Sequence, residues 1–315
     1  MTGNSRTLVH AANPVAIAAA ADLLRAGKLV AVPTETVYGL AARADSAAAV
    51  AAIYRAKGRP DFNPLIVHVA SLVAAEVLAV VDDRARALAA AFWPGPLTLV
   101  LPLRPATPIA PAVTAGLPTV ALRCPAHPVM QAVLAAAGVP LAAPSANRSG
   151  AVSPTTAAHV AHSLGSAVDL ILDGGPCRQG IESTIVALRP QGWAILRPGP
   201  ISAAQIAEIV GENSDLAELS GKIESPGQLA SHYAPGKPVR LGAALAGPDE
   251  FLIGFGAIVG HTSLSPGGDL AEAAARLYAC LHEAAAAPQP AVAVASVPET
   301  GIGAAINDRL RRAAA

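Results

Sequence analysis

Residues 28–40 read KLVAVPTETVYGL, and this stretch sets the interpretation of the rest of the chain. It starts with a short apolar segment, residues 28–33, which predicts a buried β-strand. The strand runs into a turn that carries two threonine hydroxyls, a carboxylate and a phenol. Ligands bind beyond the carboxyl ends of strands in open α/β sheets, so this turn is a candidate binding segment. A polar turn without function would have the same composition, and the segment alone leaves both alternatives open.

Outward from this stretch, the first 200 residues alternate short apolar strands with alanine-rich helices. Asn13, Asp45 or Ser46, Ser153 and Ser202 are predicted helix caps, and Gly27, Gly58, Gly138 and Gly165 are predicted stops. The alternation predicts an α/β fold with a largely buried sheet. The predicted strands are 28–33, 64–69, 97–102, 119–123, 139–143, 168–173, 183–188 and 193–197. The predicted helices are 14–27, 46–57, 82–92, 128–137, 153–165 and 202–210.

The pattern divides the chain into three parts. Residues 10–210 form the larger α/β domain. Residues 211–236 turn polar and rich in glycine and proline, which predicts a linker. Residues 237–315 form a second, smaller α/β domain, with strands near 251–259 and 291–295, a helix at 269–283 and a last helix holding 307–312.

Composition favours small-molecule chemistry over nucleic-acid binding. The chain has 315 residues, 53% of them hydrophobic and 14% charged, with a formal net charge of zero, whereas a protein that binds phosphate backbones is usually basic. Its three cysteines stand far apart without a CxxC pair, so neither a disulfide framework nor a zinc site is predicted, and we expect no metal-ligating residues. No secretory pattern is visible, and we expect a cytoplasmic location.

The next candidate segment contains Lys57 and Arg59, just past a predicted helix, followed by Asn63 and His68. Two cations at a helix C-terminus also complement the helix dipole. Judged from these two residues alone, that explanation is favoured over a binding site. Asn63 and His68 make an anion-binding loop more plausible, although a histidine in an apolar strand is more often a core residue. Since the chain has no Walker loop and no GxGxxG, phosphates would be held by side chains and helix N-termini.

Three further segments are weak taken singly. Ser145 and Asn147 follow an apolar strand, and Arg197 precedes a proline and a glycine. Residues 231–235, SHYAP, place an aromatic pair in a polar linker, where they either cover a pocket or anchor the linker to the domain.

Together these motifs resemble a known family. PTETVYGL, KGRP with NPLIVH, FWPGPLTLVL, PTVALRCPAHP, APSANRSG, DGG with ESTIV, and LRPGP occur in the order of the YrdC-like threonylcarbamoyl-AMP synthases, over about residues 15–200. SHYAP and GIGAAINDRLRRA resemble the longer, two-domain form. The resemblance implies a twisted, open mixed sheet with a concave cavity, a small Rossmann-like C-terminal domain, and a linker that folds over the cavity.

The resemblance also implies an activity. L-Threonine, bicarbonate and ATP, the last accompanied by Mg²⁺, would give threonylcarbamoyl-AMP and pyrophosphate, and a partner transferase would pass the threonylcarbamoyl group to tRNA. By matched position, the threonine-binding residues are Thr36, His68, Arg123, Ala143 and Ser183. The ATP-binding residues are Arg59, Asn63, Thr119, Ser145, Asn147, Ser153, Arg197 and Tyr233. Lys57 and Arg59 match the signature that would offset charge on the phosphates, and no general base is assigned.

Three alternatives stay open at this stage. Related domains in hydrogenase-maturation proteins form carbamoyl-adenylate, although those proteins carry CxxC pairs that this chain lacks. A concave, partly basic surface could bind RNA weakly, against which the zero net charge argues. The C-terminal domain could serve mainly as a lid or an interaction element, and its short length leaves that role undecided.

Overall fold

The computed structural model describes residues 9–212, 224–228 and 230–315, so the predicted linker is described only in part. In the larger domain the strands are β1 (Val9–Ala11), β2 (Val30–Val32), β3 (Gly39–Arg43), β4 (Ile66–His68), β5 (Leu97–Pro102), β6 (Thr119–Arg123), β7 (Leu141–Ala142), β8 (Leu170–Asp173), β9 (Thr184–Arg189) and β10 (Gly192–Arg197). The helices are α1 (Pro14–Arg25), α2 (Ala47–Lys57), α3 (Leu72–Leu78), α4 (Asp83–Phe92), α5 (Pro111–Thr114), α6 (Pro128–Ala137), α7 (Ala157–Leu164) and α8 (Ala203–Val210), with a 3₁₀ turn at Gly165–Ala167.

The smaller domain follows the linker. Its strands are β11 (Val239–Leu241), β12 (Glu250–Gly254), β13 (Thr262–Ser263) and β14 (Ala291–Val294), and its helices are α9 (Leu270–Ala286) and α10 (Gly303–Ala313). The four strands form one parallel sheet in the order β11-β14-β12-β13. None of the described helices is both long enough and apolar enough to span a bilayer.

The larger domain is built on one mixed ten-stranded sheet, which confirms the predicted α/β class. Its order is β1-β8-β2-β3-β7-β4-β6-β5-β9-β10. The sheet contains both parallel pairs, such as β4 with β6, and antiparallel pairs, such as β2 with β3. The predicted binding turn connects β2 to β3, and β4 and β6 end at His68 and Arg123, paired in register. The topology therefore brings three of the predicted segments to one region of the sheet.

Local sequence signals explain most helix boundaries. Asn13, Ser46 and Ser202 each accept a hydrogen bond from a backbone N–H in the first turn, as predicted for N-caps. Asp82, predicted as the first residue of a helix, is instead the N-cap of α4. Gly58 and Gly138 stand in left-handed conformation at the ends of α2 and α6.

The predicted helix start at Ser153 is wrong. The helix begins at Ala157, and Thr156 is its N-cap, accepting from the His159 N–H. Ser153 is fully buried and donates its hydroxyl to Glu182, so the hydroxyl is not available as a cap. The sequence pattern also missed β1, β3, α3, α5, β11 and β13, and α10 is longer than the predicted 307–312.

The core crosses the boundary between the two domains. One apolar cluster combines Val37, Val152, Ile181 and Tyr233 with the residues of α9, α10 and the parallel sheet. His159 of α7 stacks on His282 of α9 with ring centroids 3.8 Å apart. The His282 ring is also 3.1 Å from the Ser153 carbonyl, and burial lowers the pKa of His282 to about 4. The smaller domain is therefore packed against the larger one through both apolar and polar contacts.

Candidate functional site

A cavity of about 50 Å³ opens between the β2–β3 turn, the ends of β4, β6 and β10, and the linker. With the linker lying over it, this cavity is smaller than ordinary ligand pockets, which measure about 300–1,000 Å³. Of the residues predicted from the sequence, the cavity is lined by Thr36, Arg59, His68, Arg123, Ala143, Ser145, Arg197 and Tyr233.

Arg123 is held rigidly at the end of β6. Its Nη2 donates to Glu35 Oε1 at 2.6 Å, its Nη1 to Thr36 Oγ1 at 2.9 Å, and its Nε to the Gly95 carbonyl at 3.2 Å. Thr34 Oγ1 lies 2.8 Å from Thr36 Oγ1, which extends the network along the turn. A guanidinium has five N–H donors, so two remain after these three bonds. A planar fork fixed in this way is suited to bind a carboxylate.

Glu35 forms an ion pair with Arg123 and does not itself line the cavity. Burial raises the pKa of this carboxyl, but the charge and hydrogen bond of Arg123 outweigh burial, and the pKa is lowered overall. Glu35 is therefore ionised at neutral pH. Its second oxygen, Oε2, is buried without a hydrogen-bond partner among the described residues.

His68 lines the cavity as a neutral imidazole. Burial, and after it the charge of Arg123, together lower its pKa to about 3. Its Nδ1 atom has no partner within the described part of the chain. The sequence alone favoured a satisfied core histidine, whereas the structure places a buried ring with one open nitrogen at the cavity.

Two further arginines line the same cavity. Arg59 donates to the Asn63 side chain at 2.6 Å and to the Pro64 carbonyl at 2.8 Å, and burial lowers its pKa to about 10. Arg197 donates through Nε and Nη2 to the carbonyl and hydroxyl of Ser183, both at 3.1 Å. Burial lowers the pKa of Arg197 as well. Since Arg123 is the third guanidinium here, the cavity favours anionic ligands.

Lys57 does not line the cavity. It is buried, and its Nζ donates to the backbone carbonyls of Ser145 and Asn147. Burial lowers its pKa well below the ordinary value, and the charge of Arg59 adds to that effect. In this arrangement Lys57 holds the loop that carries Ser145, instead of facing the cavity directly as expected for a residue acting on phosphates.

The remaining predicted residues do not line the cavity, and all but Thr119 lie in segments next to it. Asn63 and Ser183 are the partners of Arg59 and Arg197, and the Asn147 amide donates to the Arg148 and Ala151 carbonyls. Thr119 is at the opposite end of β6 from Arg123, about 13 Å along the strand at 3.3 Å per residue. The structure therefore does not bring Thr119 to the cavity.

The linker closes over the cavity through Tyr233. Its side chain is 1% exposed, and its backbone adopts φ 63°, which non-glycine residues rarely do. The His232 ring stacks edge-on against it at 4.1 Å between centroids, and burial lowers the pKa of His232 to about 3. Gly227, at φ 87°, leaves room for Arg197, because a Cβ there would lie 2.8 Å from Arg197 Cδ. This segment covers the pocket and also anchors itself to the domain.

Several lining residues were given no individual role from the sequence, although Thr34, Val37 and His232 lie in candidate segments. Thr34, Val37, Glu182, Pro226, Gly227 and His232 also line the cavity. Glu182 is the only acidic side chain among the lining residues and is itself fully paired, as shown below. Its proximity to Ser183 in the ESTIV motif was the available signal.

The described residues contain no group of three or more His, Cys, Asp or Glu side chains that could hold a metal ion. A magnesium ion that enters with a nucleotide is usually bound by the phosphates and water, and needs no such group.

Comparison with known protein families confirms the resemblance drawn from the motifs. Residues 22–199 match the family that unites Sua5, YciO and YrdC, described as "Telomere recombination". Residues 201–315 match the family described as "Threonylcarbamoyl-AMP synthase, C-terminal domain".

Individual proteins are similar over nearly the whole chain. The threonylcarbamoyl-AMP synthase of Bacillus subtilis is 41% identical over 96% of this chain and 94% of its own. The protein of the same name from Pyrococcus abyssi is 39% identical over 93% and 92%. A crystal structure of P. abyssi Sua5 complexed with L-threonine superposes with a TM-score of 0.86, at 37% identity over 95% of this chain and 94% of that one.

Proposed function

The chain belongs to the two-domain branch of the Sua5/YciO/YrdC family, and on that premise we propose that it converts L-threonine, bicarbonate and ATP to threonylcarbamoyl-AMP and pyrophosphate. The observation that carries the proposal is the cavity itself. It combines one guanidinium fixed for a carboxylate, Arg123, with two more, Arg59 and Arg197, beneath an aromatic cover. An amino acid and a nucleoside triphosphate together present this set of anionic groups.

Threonine binds with its carboxylate on the two N–H groups of Arg123 that the protein leaves free. The Thr36 hydroxyl and the open nitrogen of His68 are available for its hydroxyl and amine. Ser183 contributes through its bond to Arg197, and the Ala143 backbone lines the same wall.

ATP binds with its phosphates near Arg59 and Arg197 and with Tyr233 covering it. Asn63 fixes Arg59, and Ser145 lines the cavity on the loop held by Lys57. Ser153, Asn147 and Thr119 belong to the predicted nucleotide set by matched position. The Ser153 hydroxyl donates to Glu182, and the Asn147 amide donates to two carbonyls of its own loop. Mg²⁺ enters as part of the nucleotide.

The reaction joins two bond-forming steps. The amine nitrogen of threonine attacks the carbon of bicarbonate, and loss of water gives a carbamate. A carbamate oxygen then attacks the α-phosphorus of ATP, and the bond to pyrophosphate breaks. Arg59 and Arg197 stabilise the charge that develops on the phosphates, and a covered cavity protects the carbamate from water. The enzyme is thereby a nucleotidyltransferase, and we place it in the cytoplasm, upstream of a transferase that modifies tRNA.

The test is to incubate the purified protein with ATP, Mg²⁺, bicarbonate and L-threonine, and to follow pyrophosphate and the adenylate mass. We expect pyrophosphate release to require both threonine and bicarbonate, and the threonylcarbamoyl-AMP mass to appear. Arg59→Ala should lower the rate on the order of 100-fold, as for loss of one preorganised charge contact. Arg55→Ala, an exposed arginine on the preceding helix, is the control and should match wild type. Release without threonine would indicate carbamoyl-adenylate formation, and no release from folded protein would refute the proposal.

A further inference from the structure

Arg309 is a fully buried arginine that the smaller domain contributes to the larger one. It lies in α10 and is 0% exposed. Its Nε donates to Glu182 Oε2 at 3.1 Å, and its Nη1 donates to the Pro198 carbonyl at 2.7 Å and to Asp308 Oδ2 at 2.9 Å. Two of these partners belong to the larger domain, so a single side chain spans the boundary.

Glu182 is fully paired only when the smaller domain is in place. Ser153 Oγ donates to its Oε1 at 2.6 Å, and Tyr278 of α9 donates to its Oε2 at 2.7 Å, beside Arg309. Burial raises the pKa of Glu182, but the charge of Arg309, followed by that of Arg197, outweighs burial and lowers it to about 2. Without Arg309 and Tyr278, Glu182 would be a buried carboxylate with one oxygen unpaired, which is costly in free energy.

The two groups that Arg309 holds flank two residues of the proposed site. Glu182 precedes Ser183, and Pro198 follows Arg197. Ser183 and Arg197 are themselves joined by two hydrogen bonds of 3.1 Å. Arg309 therefore binds a sequence neighbour of Ser183 and a sequence neighbour of Arg197. It does not itself line the ligand cavity.

Arg309 also supports the cover of the cavity. Its guanidinium carbon lies 5.6 Å from the centroid of the Tyr233 ring, within the range of a cation–π contact. Tyr278 packs on the same ring with centroids 5.5 Å apart.

The loop that carries Glu182 packs tightly against α9. A Cβ at Gly180, two residues before Glu182, would lie 2.4 Å from the Ala275 carbonyl of α9. The loop and the helix backbone thus approach as closely as glycine allows.

We propose that Arg309 is a positioning residue of the synthase reaction, which sets Ser183, Arg197 and Tyr233 in their binding arrangement by holding Glu182 and the Pro198 carbonyl. The expected kinetic effect depends on the proposed function. The expected structural effect depends only on the contacts of Arg309. The smaller domain then orders the site by packing against the segments that carry its residues, in addition to any role in covering the cavity.

The substitution Arg309→Lys tests the positioning role, because it keeps a long, positively charged side chain at this position. A lysine keeps the charge, but its single ammonium lacks the planar fork that reaches the carboxylate and the carbonyl together. Arg311→Lys is the matched control, since Arg311 lies on the same helix, is largely exposed and pairs with Glu299 at the surface. Because a misplacement of about 1 Å can cost on the order of 100-fold in rate, we expect kcat/KM of Arg309→Lys to fall at least tenfold, with a raised KM for ATP.

Hydrogen exchange provides a readout that does not depend on activity. We expect backbone amides in residues 182–199 and 230–235 to exchange faster in Arg309→Lys than in wild type and in Arg311→Lys, while β12 and β14 stay protected. If Arg309→Lys does not fold, Tyr278→Phe removes one hydrogen bond to Glu182 and should shift both readouts in the same direction by less.

The outcomes distinguish this inference from the proposed function. Faster exchange together with impaired kinetics supports it. Unchanged exchange in those segments, or kinetics equal to those of Arg311→Lys, overturns it. Wild-type protein that forms no adenylate refutes the proposed function, and the exchange result then still decides whether Arg309 orders these segments.

Discussion

Replacing Lys57 with methionine tests whether this buried ammonium supports the loop or acts on the ligand. The substitution keeps a linear side chain of similar length and removes the donor. In the folded protein the Ser145 and Asn147 carbonyls both accept from Lys57, so both lose this bond. The Ser145 carbonyl also accepts from the Asn147 N–H at 3.0 Å, so among the described residues only the Asn147 carbonyl is left without a donor. A buried polar group left unpaired costs about 1–3 kcal/mol. Relief from burying an ammonium offsets part of that loss.

The magnitude translates into a measurable fall in Tm. For a domain of about 200 residues, 1 kcal/mol corresponds to a shift of about 2–4 °C. We therefore expect Lys57→Met to lower the Tm by about 2 °C or more. Lys28→Met is the control, because Lys28 is largely exposed and only 4.0 Å from Asp169 in a weak surface pair.

The assay combines thermal unfolding with steady-state kinetics of pyrophosphate release. If Lys57 holds the loop, loss of stability and loss of ATP affinity should occur together in Lys57→Met, and neither should occur in Lys28→Met. A variant as stable as wild type with a strongly reduced kcat would refute the reasoning. In that case the ammonium would act on the ligand and the loop carbonyls would have other partners.

Three further predictions concern pH, the linker and the carboxylate-binding arginine. Buried His68 and His232, with pKa values of about 3, and half-buried His282, with a pKa of about 4, are neutral when folded, whereas histidines of the unfolded chain protonate near 6.5. Stability should therefore be complete above pH 6.5 and fall as pH decreases toward 4, and urea unfolding that shows equal stability at pH 7 and pH 5 would contradict this. Gly227→Ala should weaken ATP binding by displacing Arg197, whereas Gly175→Ala, with a similar φ of 83° and open space around it, should leave the KM for ATP unchanged. Glu35→Gln should raise the KM for threonine at least several-fold because Arg123 loses its buried counter-charge, and a KM equal to that of wild type would show that Thr36 and Gly95 suffice to orient it.

The fold was predictable where the signal is local. Strands 97–102 and 119–123 and the helices beginning at Ala47, Asp83, Pro128 and Ala203 agree with the structure to within a residue or two, because caps and apolar runs determine them. The strand Gly39–Arg43 was missed because it follows a polar turn without a break in the pattern and depends on pairing with β2 and β7. Ser153 was misassigned because its partner, Glu182, is 29 residues away in the sequence.

The site was predictable in membership more than in geometry. The resemblance assigned eight of the seventeen described residues that line the cavity, including Arg59, Arg123 and Arg197. It could not show that Lys57 faces two backbone carbonyls, or that Thr119 lies at the other end of its strand. Contacts such as Glu35 with Arg123 join residues 88 positions apart and become visible only in the folded chain. The domain boundaries and the individual ligand roles remain predictions.

The apolar cluster shared by the two domains has a consequence for biosynthesis. Val37, Val152 and Ile181 are buried against α9, α10 and the parallel sheet, which the ribosome produces after the whole larger domain. Domains generally fold in order of synthesis, so the larger domain would emerge with this apolar surface still uncovered. A nascent chain in that state is a natural client for a chaperone, and it would have an unordered site until α10 is complete. Messages cut short before α10 would then yield protein that neither folds fully nor consumes ATP.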